Sequence, residues 1–495
     1  GQASIGTEAS INMSSLARVT GDYYVTGHDI ADQALATVGL SSSSANVTLD
    51  YEGGYVQPNL ITVYGGLYIV DYAATAGDDA TGSGTTSVDF RGLESVSNFA
   101  TITSEDASHH SGGGSSAGTS ASTTDALTGG TNYTLTLRAA TSVIFGEAAV
   151  VSITANEATS IDHNYSGSLG SLDITANSAT TVNVSASDVT GATTIDSGAD
   201  TTVSVTSDLA DVTITDGLTV TLSGDISGTA TMNPAATASV TLSGSTVNDL
   251  DVNSGATYDI DADLTTVDFV DAGSSVDITG DISGAANFAL ASGDLTITGD
   301  LGAAINVTDE TAENVTITGN IAGASAFAMA DGGALSITGD LASSLTVSDD
   351  TASTVTVDGA VGGAVTIAPK DGAEISITGA LADALTISGD ASSVTLGGTV
   401  TGVATVSIAD DATFTSSGGF ESALSIDGGD DINLNGTADA DGAVSIVGVA
   451  ATGDITISNE LQSSLTIVGS DLVTYTGAAI DGAVSINMTD TGAFV

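Results

Sequence analysis

Between residues 276 and 400 an apolar-polar-apolar triplet returns every 19 or 20 residues: Val276-Asp277-Ile278, Leu295-Thr296-Ile297, Val315-Thr316-Ile317, Leu335-Ser336-Ile337, Val355-Thr356-Val357, Ile375-Ser376-Ile377 and Val394-Thr395-Leu396. Alternation with period two describes a strand with one buried and one wet face. A second triplet follows half a period later, as in Leu345-Thr346-Val347 and Val365-Thr366-Ile367. Behind most first triplets stand Gly, a small or acidic residue, and an aliphatic, as in Gly299-Asp300-Leu301 and Gly339-Asp340-Leu341. Triplets this short bury their apolar row only against the next copy of the unit. The pattern therefore predicts an all-β chain, a parallel β-solenoid with coils of about 20 residues. Helix competes poorly, because Thr, Val, Ile and Gly dominate and no i, i+3, i+4 stripe survives the glycines.

The repeat is looser on both sides of this stretch. From about residue 146 it runs through Leu172-Asp173-Ile174 and Val203-Ser204-Val205, and after residue 400 through Val406-Ser407-Ile408 to Val484-Ser485-Ile486. Residues 146–495 are thus expected to form the solenoid. Residues 1–145 read as a separate β module, since seven of the 11 tyrosines lie before residue 75. Within it, Leu60-Ile61-Thr62-Val63-Tyr64 and Leu67-Tyr68-Ile69-Val70 around Gly65-Gly66 spell a hairpin. Residues 103–130, rich in Ser, Gly and Thr, read as a mobile loop or linker. His109-His110 within it would need a carboxylate such as Glu105 or Asp106 to hold a metal, and adjacent histidines on such a segment are usually solvated.

Composition narrows the function classes. With no Trp, 9 Phe and 11 Tyr in 495 residues, the core must be thin and aliphatic. Against 61 Asp and Glu stand only Arg18, Arg91, Arg138 and Lys370, a formal charge of −57. Such a surface cannot neutralise phosphates, which excludes nucleic acid and anionic lipid as direct partners. High ionic strength or divalent cations would relieve the self-repulsion. The absence of cysteine rules out disulfides and thiolate metal sites. No apolar run approaches the ~20 residues of a membrane-spanning helix. The chain opens on Gly without a basic and then apolar leader, as expected of a secreted protein after removal of its export signal.

Acidic residues recur with the coil period. One column runs Asp281, Asp300, Asn320, Asp340; another runs through Asp349 and Asp350, Asp410 and Asp411, and Asp430 and Asp431. Two readings fit. Stacked carboxylates about 5 Å apart would suit calcium, which takes carboxylate and turn-carbonyl oxygens in flexible geometry; equally, Asp is an ordinary turn residue on a solvated edge. The chain lacks the nonapeptide of calcium-binding β-helices. A file of outward hydroxyls (Thr296 and Thr298, Thr316 and Thr318, Ser336 and Thr338, Ser376 and Thr378, broken at Asp358) resembles the Thr files of ice-binding solenoids, and Thr is also a common outward strand residue. Catalysis is not expected, because carboxylate pairs occur everywhere and Lys370 is the solenoid's one basic residue.

In composition and repeat style the chain resembles the Thr/Ala/Gly/Asp-rich surface proteins of prokaryotes: surface-layer subunits, haemagglutinin-like adhesins and extracellular filament proteins. That resemblance implies a secreted, cell-surface structural role. The leading expectation is a subunit that self-assembles head-to-tail into a filament or surface lattice. The alternative is an adhesin that binds cell-surface glycans, or ice through the Thr file. Self-assembly is expected to use Val484, Ile486 and Phe494 at one end, and at the other Ser10-Ile11-Asn12-Met13, which echoes Ser485-Ile486-Asn487-Met488.

Overall fold

The computed structural model describes residues 168–495 apart from short turn segments at 178, 254, 273–274, 291–292, 310–313, 330–331, 350–353, 370–371, 437–438, 451 and 489–492; before residue 168 it describes the backbone of the strands. The strands are joined in parallel, as a β-solenoid with coils about 20 residues apart. Among the described residues no helix is long and apolar enough to cross a membrane. Residue contacts group the chain into two units, Gly1–Asp249 and Leu250–Val495.

In the first unit one column of strands runs from Ala3–Gly6 through Tyr23–Thr26, Val47–Tyr51, Leu67–Tyr72, Ala100–Glu105, Val143–Phe145 and Ser160–Asn164 to Thr181–Ser197, each parallel to the last. The same parallel sense thus continues across residue 145. The hairpin expected over 60–70 is not formed. Thr62–Val63 pairs with Thr37–Val38 and Ser95–Val96, whereas Leu67–Tyr72 pairs with Val47–Tyr51 and Ala100–Glu105. A hairpin and a coil share the same alternation, but parallel stacking gives each strand a neighbour on both sides, which a lone hairpin cannot. The Ser/Gly-rich segment after Glu105 lies outside the described residues, as do His109 and His110.

The second unit repeats one plan. The triplets of the sequence are strands of one sheet, among them Ser275–Thr279, Asp294–Thr298, Asn314–Thr318 and Ala334–Ile337. The half-period triplets form a second, including Ala286–Leu290, Ile305–Asp309, Ser325–Met329 and Leu345–Asp349. Between the two, each coil contributes a single bridged residue, in a file from Leu264 through Ile282, Leu301, Ile321 and Leu341 to Ile480. That third contact is the aliphatic of the Gly-Asp-aliphatic corner.

Inward positions stack type on type. Val276, Leu295, Val315, Leu335, Val355, Ile375 and Val394 are all buried, each in register with the next. Full burial of one such side chain contributes about 1.5–3 kcal/mol, so each coil gains most of its stability from its neighbours. Where aromatics enter, they stack likewise: Tyr258 meets Phe269 edge-on at 5.2 Å, and Phe269 lies near-parallel to Phe288 at 5.3 Å. Phe327, Phe414 and Phe420 are buried as well, at other levels of the second unit.

Candidate functional site at the acidic corner and the strand edge

The corner is set by two adjacent columns. Glycines at 280, 299, 319, 339, 359, 379, 398 and 418 lie one above another, and a Cβ on any of the last seven would overlap the carbonyl oxygen of the glycine one coil earlier. Coils pass so closely there that no side chain fits. The next residue in each coil carries the acid. The Asp281 backbone N–H donates to Asp263 Oδ1 (2.9 Å), Asp300 N–H to Asp281 Oδ1 (2.8 Å), Asn320 N–H to Asp300 Oδ1 (2.7 Å), Asp340 N–H to Asn320 Oδ1 (3.0 Å) and Ala360 N–H to Asp340 Oδ1 (2.8 Å).

This ladder explains why acids can be stacked. A carboxylate accepting a backbone N–H is stabilised by a partial positive charge, and the N–H at a corner, aimed away from the sheet, gains an acceptor. The first unit uses the same device, with Asp225 N–H on Asp208 Oδ1 (3.0 Å) and Ser245 N–H on Asp225 Oδ1 (2.6 Å). Asn320 serves as well as Asp, which shows that the acceptor oxygen rather than the charge is what the corner uses.

The other acidic column is spread differently. Asp430 Oδ1 accepts from the Thr452 hydroxyl (3.0 Å), and Asp431 Oδ1 faces the Asp454 backbone N–H (3.4 Å). Asp410 and Asp411 are exposed. Among the described residues no group of three or more His, Asp and Glu side chains could hold a metal ion. The side chain of Asp349, and Asp350 entirely, lie outside the described residues.

The hydroxyl file is longer than the sequence suggested. Register places Thr296, Thr316, Ser336, Thr356, Ser376, Thr395 and Thr415 in one unbroken outward column. In the flanking column, Asp358 Oδ1 accepts from the Thr378 hydroxyl at 3.0 Å, so the interruption is itself bonded into the face. A second file, from Thr346 through Thr366, Thr386 and Thr405 to Ser485, lies on the other sheet. Sequence reading missed it, although the half-period triplets already carried its polar middle residues.

At the far end of the second unit, among the described residues, Val484–Asn487 pairs only with Leu465–Gly469, and Ala493–Phe494 only with Leu472–Tyr475. Val484 is 49% exposed, Phe494 51% and Val495 71%, whereas their column mates Leu465 and Val473 are buried. Ile486 is half-buried. Ile11–Asn12 pairs with Ile30–Ala31; Ser10 and Met13 lie outside the described residues. No protein-family model, curated protein or solved structure matches the chain.

Proposed function

We propose that the chain is an extracellular structural subunit whose coils stack head-to-tail on those of further copies, in a filament or surface lattice at the cell surface. The observation that carries this reading is the edge formed by Val484–Asn487 and Ala493–Phe494, paired on one side among the described residues, with the apolar Val484 and Phe494 exposed on it. A parallel coil presents the same N–H and C=O pattern above as below, so any such edge is a template for another coil. Charge directs the contact there. Two molecules of charge −57 repel through their acidic flanks, whereas these two strands contain no charged residue. A contact between unlike ends that does not close into a ring propagates.

The test is electron microscopy and sedimentation of residues 1–495 beside a chain truncated after Gly482. Polymers from the first and dispersed, still β-rich molecules from the second are expected. Equal polymerisation of both, or full-length chains dispersed at every salt concentration, would overturn the reading, the latter leaving the edge to be covered in cis by further chain. A second reading, an adhesin for glycans or ice, draws on the two hydroxyl files; glycan-array binding or thermal hysteresis by dispersed molecules would favour it.

A further inference from the structure

One corner of the second unit is longer than its neighbours. Six positions separate the inward Leu434 from the bridge residue Ala440, where four separate Ser416 from Phe420 in the coil before and Ile457 from Leu461 in the coil after. The extra length contains Asn435-Gly436, the one Asn-Gly pair in the sequence. Asn435 is exposed, and its backbone N–H is held by Ser416 O at 2.8 Å. Gly436 is buried and continues the glycine column, with Gly418 O 2.6 Å from where its Cβ would lie. Above it the column changes residue: Asn459, 2% exposed, stands where the corners from Gly280 to Gly436 have glycine, and its Oδ1 accepts the Gly436 backbone N–H at 3.0 Å.

That hydrogen bond falls on the reactive atom of an Asn-Gly pair. When the Gly436 nitrogen loses its proton to base it can attack Asn435 Cγ, unhindered because glycine has no side chain. A new N–C bond closes a five-membered imide, and the side-chain nitrogen leaves as ammonia. Water then opens the imide at either carbonyl, leaving aspartate or isoaspartate at 435. In the stacked coil the attacking nitrogen is buried and its proton is engaged by Asn459, so both steps that begin the reaction are opposed. We propose that Asn435-Gly436 is a site of spontaneous deamidation that Asn459 holds shut in the folded chain, so that the modification marks molecules in which this corner has opened. Isoaspartate adds a methylene to the backbone and a charge beside the glycine column, so a coil modified there cannot restack as before. This inference does not depend on how copies of the chain associate.

The experiment is incubation of the full chain at mildly alkaline pH, folded and in urea, with tandem mass spectrometry of the peptide carrying Asn435. Deamidation in urea is expected to exceed that in the folded chain by at least tenfold, the scale on which one hydrogen bond acts on a rate. Asn459→Ala, shown folded by circular dichroism, is expected to react on the order of tenfold faster than the parent; Asn459→Asp, which keeps the accepting oxygen, is expected to stay at the parent rate. Equal rates for the folded and unfolded parent, no reaction at Asn435 in urea, or a folded Asn459→Ala at the parent rate would each overturn the proposal. If Asn459→Ala does not fold, the folded-against-urea comparison and Asn459→Asp decide it.

Discussion

Gly339 sits on Gly319 so closely that a Cβ on the first would overlap the carbonyl oxygen of the second. The clash is with backbone, which cannot swing aside. Gly339→Ala is therefore expected to destabilise the second unit by on the order of 3 kcal/mol or more, or to prevent folding. Gly372 is the contrast: its φ is +88° but nothing lies within 4 Å of the added carbon. Gly372→Ala should cost only about 1 kcal/mol, the strain of a left-handed alanine. Urea unfolding of the two variants measures the difference, and equal losses would refute the close-packed corner.

The ladder of corner acids gives a test that separates bond from charge. Asp300→Ala removes the acceptor of the Asn320 N–H and is expected to cost about 0.5–1.5 kcal/mol. Asp300→Asn keeps an acceptor, as Asn320 does toward Asp340. It should be neutral, or stabilising at low salt, where loss of one negative charge reduces self-repulsion. Equal destabilisation by both changes would mean that the charge matters and the bond does not.

Ser325 is a defect in an otherwise apolar column. It stands between Ile305 and Leu345, is buried, and its Oγ has no hydrogen-bond partner. Removing an unsatisfied buried hydroxyl without changing shape recovers its desolvation cost. Ser325→Ala is expected to raise stability by about 1 kcal/mol in denaturant melts; a loss of stability would show that the hydroxyl is satisfied in solution.

Alkaline stability should depend on Tyr475. Burial raises its pKa above the ordinary 10.0, with Glu460 and Asp481 adding to the shift and a hydrogen bond to Leu461 opposing it. Its hydroxyl also donates to the Ala479 carbonyl. Because the folded pKa is the higher, its contribution is fully present below pH 10 and is lost as pH rises from there through the folded value, the unfolded chain ionising first. The difference in stability between the parent and Tyr475→Phe, measured in denaturant below and above pH 10, should change in that direction. A pH-independent difference would place the phenol in water.

Salt is expected to raise the melting temperature by screening the −57 charge. Since the corner carboxylates already accept backbone N–H groups, calcium and magnesium at matched ionic strength should act alike. A rise specific to calcium would instead place the ion on acids outside this ladder, with Asp349 and Asp350 the first to replace.

Much of this architecture is written in the one-dimensional pattern, and particular residues show why. The row Leu295, Val315, Leu335 is apolar at a fixed period because each member packs on its counterpart, so the period is the coil and the alternation is the strand. Parallel stacking, coil length and inward face follow from these two numbers alone. The Gly-Asp-aliphatic corner was visible too, as a spelling without a meaning.

What spelling could not supply was contact across coils. Whether Asp300 repels Asp281 or accepts from a backbone N–H depends on where the corner points that N–H, and only the fold fixes it. For Thr62–Val63 and Leu67–Tyr72 the sequence spelled an antiparallel hairpin, but an alternating strand suits a parallel neighbour equally, and the stack formed instead because it offers each strand two neighbours. Asn459 carried no signal at all, because its role depends on two extra residues in the coil below and on a glycine 23 positions earlier. The sequence by itself determined the period and the buried face, because both are set by local alternation and like-on-like packing. The tertiary structure decided which polar groups meet, because those meetings join residues one coil apart and turn on the path of each corner.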